Sequence, residues 1–226
     1  MRRHVALLLL AFNSGAIDAI GFVALGGAFT SVMTGNMILL GIAATQADAA
    51  LAARSGLAIV LFMAGAYLGA RIAGPPRDGD PPWPRPATWA LLTELAILAA
   101  VAAGWWAGGG HPHGNVQLLL LGADAIALGI QSSAILRFGV PGLSTTYMTG
   151  TLTGVVAALA QGRHPRQVAE SARILVALIA GAGAATLLAG HAPMLVPLLQ
   201  LVPVGLAVAI QVRIAWPSRS GAQPRP

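Results

Sequence analysis

Phe29-Thr-Ser-Val-Met-Thr-Gly-Asn36 and Ser144-Thr-Thr-Tyr-Met-Thr-Gly-Thr151 are two versions of one phrase, with their Met-Thr-Gly cores 115 residues apart in a chain of 226. Each is a polar, Thr- and Gly-rich stretch set between very apolar segments. Behind the first, only Met37–Ala44 is an uninterrupted apolar run; behind the second, only Gly154–Ala160. A membrane-crossing helix needs about 20 mostly apolar residues, so both segments read as half-helices. Irregular elements repeated in the two halves of a membrane protein are where such proteins place ion and substrate sites.

Working outward, apolar segments cover about 5–25, 30–46, 56–73, 87–108, 116–136, 144–161, 172–190 and 193–212. Hydrophobic residues make up 56% of the chain and charged residues 9%, with a mean hydropathy of +0.75. Soluble domains carry roughly 25% charged residues, so the composition defines an integral membrane protein whose surroundings are the lipid bilayer. The apolar start, Met1-Arg-Arg-His-Val-Ala, shares features with a signal peptide. It runs on past Asp18 to Leu25 without a small-x-small site, and reads as a first transmembrane helix. There is no Cys, so neither a disulfide nor a thiolate metal site can form.

All 13 basic residues are Arg, at segment ends and in short loops. That distribution marks topology and not nucleic-acid binding. With eight spans and a cytoplasmic N-terminus, nine arginines lie inside and four outside. If segments 30–46 and 144–161 dip in and return on one side, twelve lie inside and only Arg54 outside. The positive-inside rule favours the second arrangement. The expected fold is an all-α polytopic membrane protein with six transmembrane helices and two re-entrant or broken segments. Its halves, residues 4–110 and 115–213, form a 3+3 inverted repeat with both termini in the cytoplasm. The alternative is eight spans in a 4+4 parallel repeat. Residues 74–86 are a Pro-rich cytoplasmic loop, and 217–226 are expected to be a disordered tail. The five tryptophans fall near segment ends, as an interfacial aromatic belt would place them.

Asp18 is the sharpest candidate for chemistry. A carboxylate at membrane depth costs roughly 2.5–3.5 kcal/mol on insertion scales, so it must be paired, protonated or coordinating. Asn13, Ile17 and Asp18 are expected near one face of the first helix by i, i+4 and i+5 spacing. The alternative role for Asp18 is structural, tying that helix to the adjacent Thr-Gly turn. Thr34, Gly35 and Asn36, with Thr149, Gly150 and Thr151, are the second candidate group. There Gly permits unusual backbone, and Thr and Asn side chains can cap a half-helix start. Gln131, Asp124 and Glu94 are further polar residues inside apolar segments. Asp124 and Gln131 share a face of the fifth long segment, and Arg137, Arg71 or Arg173 are candidate partners for the acids. Gly65-x-x-x-Gly69, Gly104-x-x-x-Gly108 and Gly150-x-x-x-Gly154 suit close helix packing, with homo-oligomerisation as a second use. No metal-ligand set, nucleophile elbow, phosphate loop or dinucleotide fingerprint is present, so no cofactor, metal or enzymatic activity is expected.

Asn13-Ser-Gly-Ala-Ile-Asp18, Met33-Thr-Gly-Asn36, Gly129-Ile-Gln131 and Thr145-Thr-Tyr-Met-Thr-Gly-Thr-Leu-Thr153 occur in that order. On these motifs the chain resembles the YoaK-like bacterial inner-membrane proteins, a domain-of-unknown-function family. It departs from the resemblance at Ser132, where Asn is expected after Gln131. The resemblance implies about six spans and no established activity. From the residues themselves, the expected function is a transporter or channel for a small solute or ion, with its site at the two Met-Thr-Gly turns. The alternative is a non-catalytic membrane scaffold or assembly factor.

Overall fold

The computed structural model describes residues 2–77, 79–81, 83–137 and 148–215. Eight α-helices follow one another: α1 (Arg2–Val23), α2 (Met33–Gln46), α3 (Ala49–Ala73), α4 (Arg85–Ala107), α5 (Gly114–Leu136), α6 (Met148–Ala160), α7 (Pro165–His191) and α8 (Val196–Ala215). A 3-10 turn at Pro193–Leu195 leads into α8. There is no strand among the described residues. Six helices (α1, α3, α4, α5, α7 and α8) are long and apolar enough to cross a membrane. At 14 and 13 residues, α2 and α6 reach only about 20 Å at 1.5 Å per residue, against a hydrocarbon core of about 30 Å. The protein is an all-α polytopic membrane protein. Ser144, Thr145 and Thr146 at the opening of the sixth segment, Trp216 and the 217–226 tail lie outside the described residues.

Local chemistry moves two boundaries. α3 starts at Ala49, seven residues before the expected 56, because Asp48 accepts the Leu51 N–H at 3.0 Å and caps the Ala-rich run. Arg54 is therefore on the helix and not in a loop, and its Nη1 donates to the Gly26 carbonyl at 3.3 Å. α7 starts at Pro165, which fits the first helical turn, with the His164 ring accepting the Arg166 N–H.

The bundle has an internal correspondence. α1 packs on α7 as α5 packs on α3, α1 on α8 as α5 on α4, and α2 on α3 as α6 on α7, while α4 meets α8. Exchanging the first four helices with the last four leaves the set of partners unchanged. Burial follows the same pattern: the apolar windows of α1 and α5 are 67% and 72% buried, those of α4 and α8 39% and 44%, and those of α3 and α7 17% each. Hence α1 and α5 form the core.

Glycines make the two tightest crossings. A Cβ on Gly15 would fall on the Leu178 carbonyl of α7, and one on Gly181 on the Phe12 carbonyl of α1. At the corresponding crossing, Gly65 lies against the Ile126 carbonyl and Gly129 against that of Phe62, while a Cβ on Gly69 would sit 2.7 Å from the Ile130 Cα. Such notches bring helix backbones together where lipid supplies no hydrophobic drive. Gly65-x-x-x-Gly69 thus packs as expected. Among the described residues Gly154 meets nothing within 4 Å, so it makes no corresponding notch. Trp105 also departs from the expected belt. It is 1% exposed in the core, and its Nε1 donates to the Pro193 carbonyl at 2.8 Å. Trp106 beside it is exposed and donates to the Met194 carbonyl. Together they fix the end of α4 to the entry of α8.

Candidate functional site

α2 returns into α3 through Ala47 and Asp48, so its N-terminal end reaches the middle of α3. Phe62, the fourteenth residue of the 25 in α3, faces Met33 and Thr34 there. On the other side Leu178, the fourteenth of 27 in α7, faces Met148 and Thr149 at the start of α6. Between the starts of the two short helices lies a cavity of about 580 Å³, and the Met-Thr-Gly residues expected as turns are the first residues of α2 and α6. Gly15, Asp18 and Phe22 of α1 line its wall, and Ser31 and Phe29 its approach. Both Met-Thr pairs and Asp18 thus share one cavity, half-way along the long helices. Its size and mostly apolar lining with a few polar groups suit a small-molecule site.

Asp18 is 7% exposed and accepts four hydrogen bonds. Its Oδ1 receives the Thr30 N–H at 2.8 Å, the Thr30 hydroxyl at 3.0 Å and the Ser31 N–H at 2.7 Å; Oδ2 receives the Ser31 hydroxyl at 2.5 Å. The carboxylate fastens the chain entering α2 to the wall of α1, while one edge opens on the cavity. Asn36 holds the same loop from the other side. It is fully buried; its Oδ1 accepts the Phe29 N–H at 2.9 Å and its Nδ2 donates to the Phe29 carbonyl at 2.6 Å. The Phe29 ring stacks on Phe22 with centroids 5.0 Å apart. A Cβ on Gly35 would come within 3.1 Å of the Phe29 ring, so Gly leaves room for it.

Several expectations are corrected. The start of α2 is not capped by Thr or Asn: Val32 is the N-cap residue and makes no side-chain cap bond. Asn36 is built into the loop and does not line the cavity, and the lining includes Thr34 and Thr149 but neither Gly35 nor Gly150. Thr151, the counterpart of Asn36, is buried. Asn13 is not beside Asp18. Five positions on a helix turn it by about 140°, so Asn13 points away from the cavity.

Asn13 belongs to a second cluster. Its Nδ2 donates to Glu94 Oε1 on α4 and to Gln131 Oε1 on α5, both at 3.3 Å. Gln131 Nε2 donates to the Ser14 hydroxyl at 2.7 Å. Asn13, Glu94 and Gln131 are all at 0% exposure. Glu94 therefore pairs inside the bundle. Asp124, also fully buried, accepts from Gln200 of α8 at 3.4 Å, so its partner differs from that of Gln131 on the same helix. None of the arginines expected beside these acids reaches them. Arg137 pairs with Asp80 of the Pro-rich loop at 2.7 Å, Arg71 lies over the Tyr67 ring, and Arg173 lines a separate shallow cavity with His4 and Glu170.

The α7 wall of the cavity, Leu178 and Ala182, was not anticipated. The one sequence signal for it is the small-residue run Ala180-Gly-Ala-Gly-Ala-Ala185, whose Gly181 admits α1.

Fold and site together define a polytopic helical membrane protein with a central cavity between two half-length helices. The chain belongs to the DUF1275 family: the model described as "Protein of unknown function (DUF1275)" matches residues 6–212. It is similar to "UPF0700 transmembrane protein YoaK" of Bacillus subtilis (strain 168), 32% identical over 154 residues. That match covers 68% of this chain and 66% of the relative, just short of two thirds of its length. No solved structure matches the chain.

Proposed function

We propose that this protein is a transporter or channel for a small solute or ion in the bacterial cytoplasmic membrane. The observation that carries the reading is the shared cavity, which brings together Asp18, Thr34 and Thr149 at mid-depth. A scaffold needs no such space. The lining offers one carboxylate and three hydroxyl groups, from Ser31, Thr34 and Thr149, and no basic side chain among the described residues. That chemistry favours a cation or a neutral solute that donates hydrogen bonds. The correspondence between the two halves, with the arginine distribution, supports an inverted repeat with both termini cytoplasmic. α2 would then enter from outside and α6 from inside.

The absence of native Cys makes the test direct. In reconstituted protein, Thr34→Cys and Thr149→Cys are expected to react with a membrane-impermeant cationic thiosulfonate, although they sit half-way along long helices. Lipid-facing Ile38→Cys should not. Protection of both Thr sites would leave the cavity unconnected to water and reverse the reading in favour of a scaffold. Topology is checked separately in whole cells. Gln46→Cys, at the exposed end of α2, should label from outside; labelling only from the cytoplasm would overturn the inverted arrangement.

A further inference from the structure

We propose that Glu94, Asn13 and Gln131 form a proton-binding site separate from the central cavity, in which Glu94 carries the proton and the two amides turn over as it comes and goes. Asp18 is surrounded by four donors, an environment suited to a charged carboxylate. Glu94 receives one long bond from Asn13, and its Oε2 has no partner. Burying an ionised carboxylate without a counter-charge is costly.

No counter-charge is supplied by the described side chains of the surrounding helices. On α3, Arg54 is bound to Gly26 and Arg71 lies over Tyr67. On α5, Asp124 is bound to Gln200 and Arg137 to Asp80. On α1, His4 pairs with Glu170, and Asp18 with Thr30 and Ser31. The described side chains of α8 include no charged group.

Asn13 Oδ1 is fully buried and has no partner, although the same amide touches Glu94 through its nitrogen. A protonated carboxyl needs an acceptor, and an amide turn exchanges the two ends of Asn13 at almost unchanged shape. Asn13 Oδ1 then accepts from the Glu94 O–H. Gln131 turns with it, offering Nε2 to Asn13 and Oε1 to the Ser14 hydroxyl, which rotates to donate; the turn gives up the long bond, 3.4 Å, that Gln131 Nε2 donates to the Leu10 carbonyl, an oxygen that α1 bonds internally. Glu94, Asn13, Gln131 and Ser14 each keep a partner in both states. One O–H bond forms on Glu94, the proton coming from and returning to water, and no other covalent bond changes. A metal ion fits less well, because amide N–H groups point into the cluster and none of the three residues lines the central cavity.

The inference stands whether or not the central cavity conducts, and infrared difference spectroscopy on protein in lipid nanodiscs tests it. The chain has two glutamates, Glu94 and Glu170. Selective ¹³C-glutamate labelling of a Glu170→Gln variant therefore reads Glu94 in its native surroundings. A labelled carboxylic-acid band that disappears as pH rises, accompanied by amide side-chain changes, is expected. Glu94→Gln should remove the band and melt within a few degrees of the parent, because Gln copies the neutral acid. Asp124→Asn should leave it intact. A labelled carboxyl that stays ionised at every pH, or an acid band that never titrates, overturns the proposal.

Discussion

Asp18→Ala is expected to lower stability by about 2–6 kcal/mol, because it leaves two buried backbone N–H groups, those of Thr30 and Ser31, without acceptors at about 1–3 kcal/mol each. The Thr30 and Ser31 hydroxyls can rotate to other partners, but the backbone groups cannot. Asp18→Asn should behave quite differently. Its Oδ1 can keep the three bonds now made to Asp18 Oδ1, and its Nδ2 can donate to the Ser31 hydroxyl, which switches from donor to acceptor. Melting of the purified protein followed by size-exclusion chromatography would separate the two: a large loss for Ala, a small one for Asn. If Asn were as damaging as Ala, the charge itself would be holding the turn. A folded Asn variant removes the cavity's one ionisable side chain without collapsing its wall, so any change in flux it causes reports on chemistry rather than on folding.

Gly15→Val is expected to have the second large effect. A Cβ at Gly15 would coincide with the Leu178 carbonyl, and a helix backbone cannot move aside as a side chain can. Overpacking a core usually costs about 1–3 kcal/mol; here α1 and α7 must separate, so loss of monodisperse protein is expected. Gly181→Val should fail in the same way against Phe12. Gly183→Val, two residues from Gly181 on the opposite face of α7 and facing open space, should purify normally. Equal behaviour of all three would show that α1 and α7 do not cross at these glycines.

Hydropathy and arginine placement made the helical class, the six long spans and the shortness of the two Thr-Gly segments legible, because each depends on local composition. The neighbourhood of Asp18 and the first turn was legible for a similar reason: a carboxylate within an apolar helix needs donors, and the polar stretch that follows α1 supplies them in Thr30 and Ser31. Rotation about helix axes was not. Asn13 and Asp18 are close in sequence but serve different clusters, Glu94 is drawn into the core by Asn13, and Trp105 turns inward to reach Pro193. These choices depend on which glycine notch receives which backbone, and hydropathy does not record shape. The contribution of α7 was hidden for the same reason, since Leu178 and Ala182 look like any other apolar residues until α1 is seated on Gly181.

The two glycine crossings also have a consequence for how the protein is made. Gly15 finds its partner on α7, so α1 cannot settle until α7 has been synthesised. At about 5–20 residues per second, α1 waits roughly 10–30 s for α7. During that interval the α1 notch is presented to lipid or to whatever machinery shelters unfinished membrane chains. Assembly of the core is therefore an event of late translation, and slowing the ribosome between α5 and α7 should prolong the period in which the nascent protein is open to degradation.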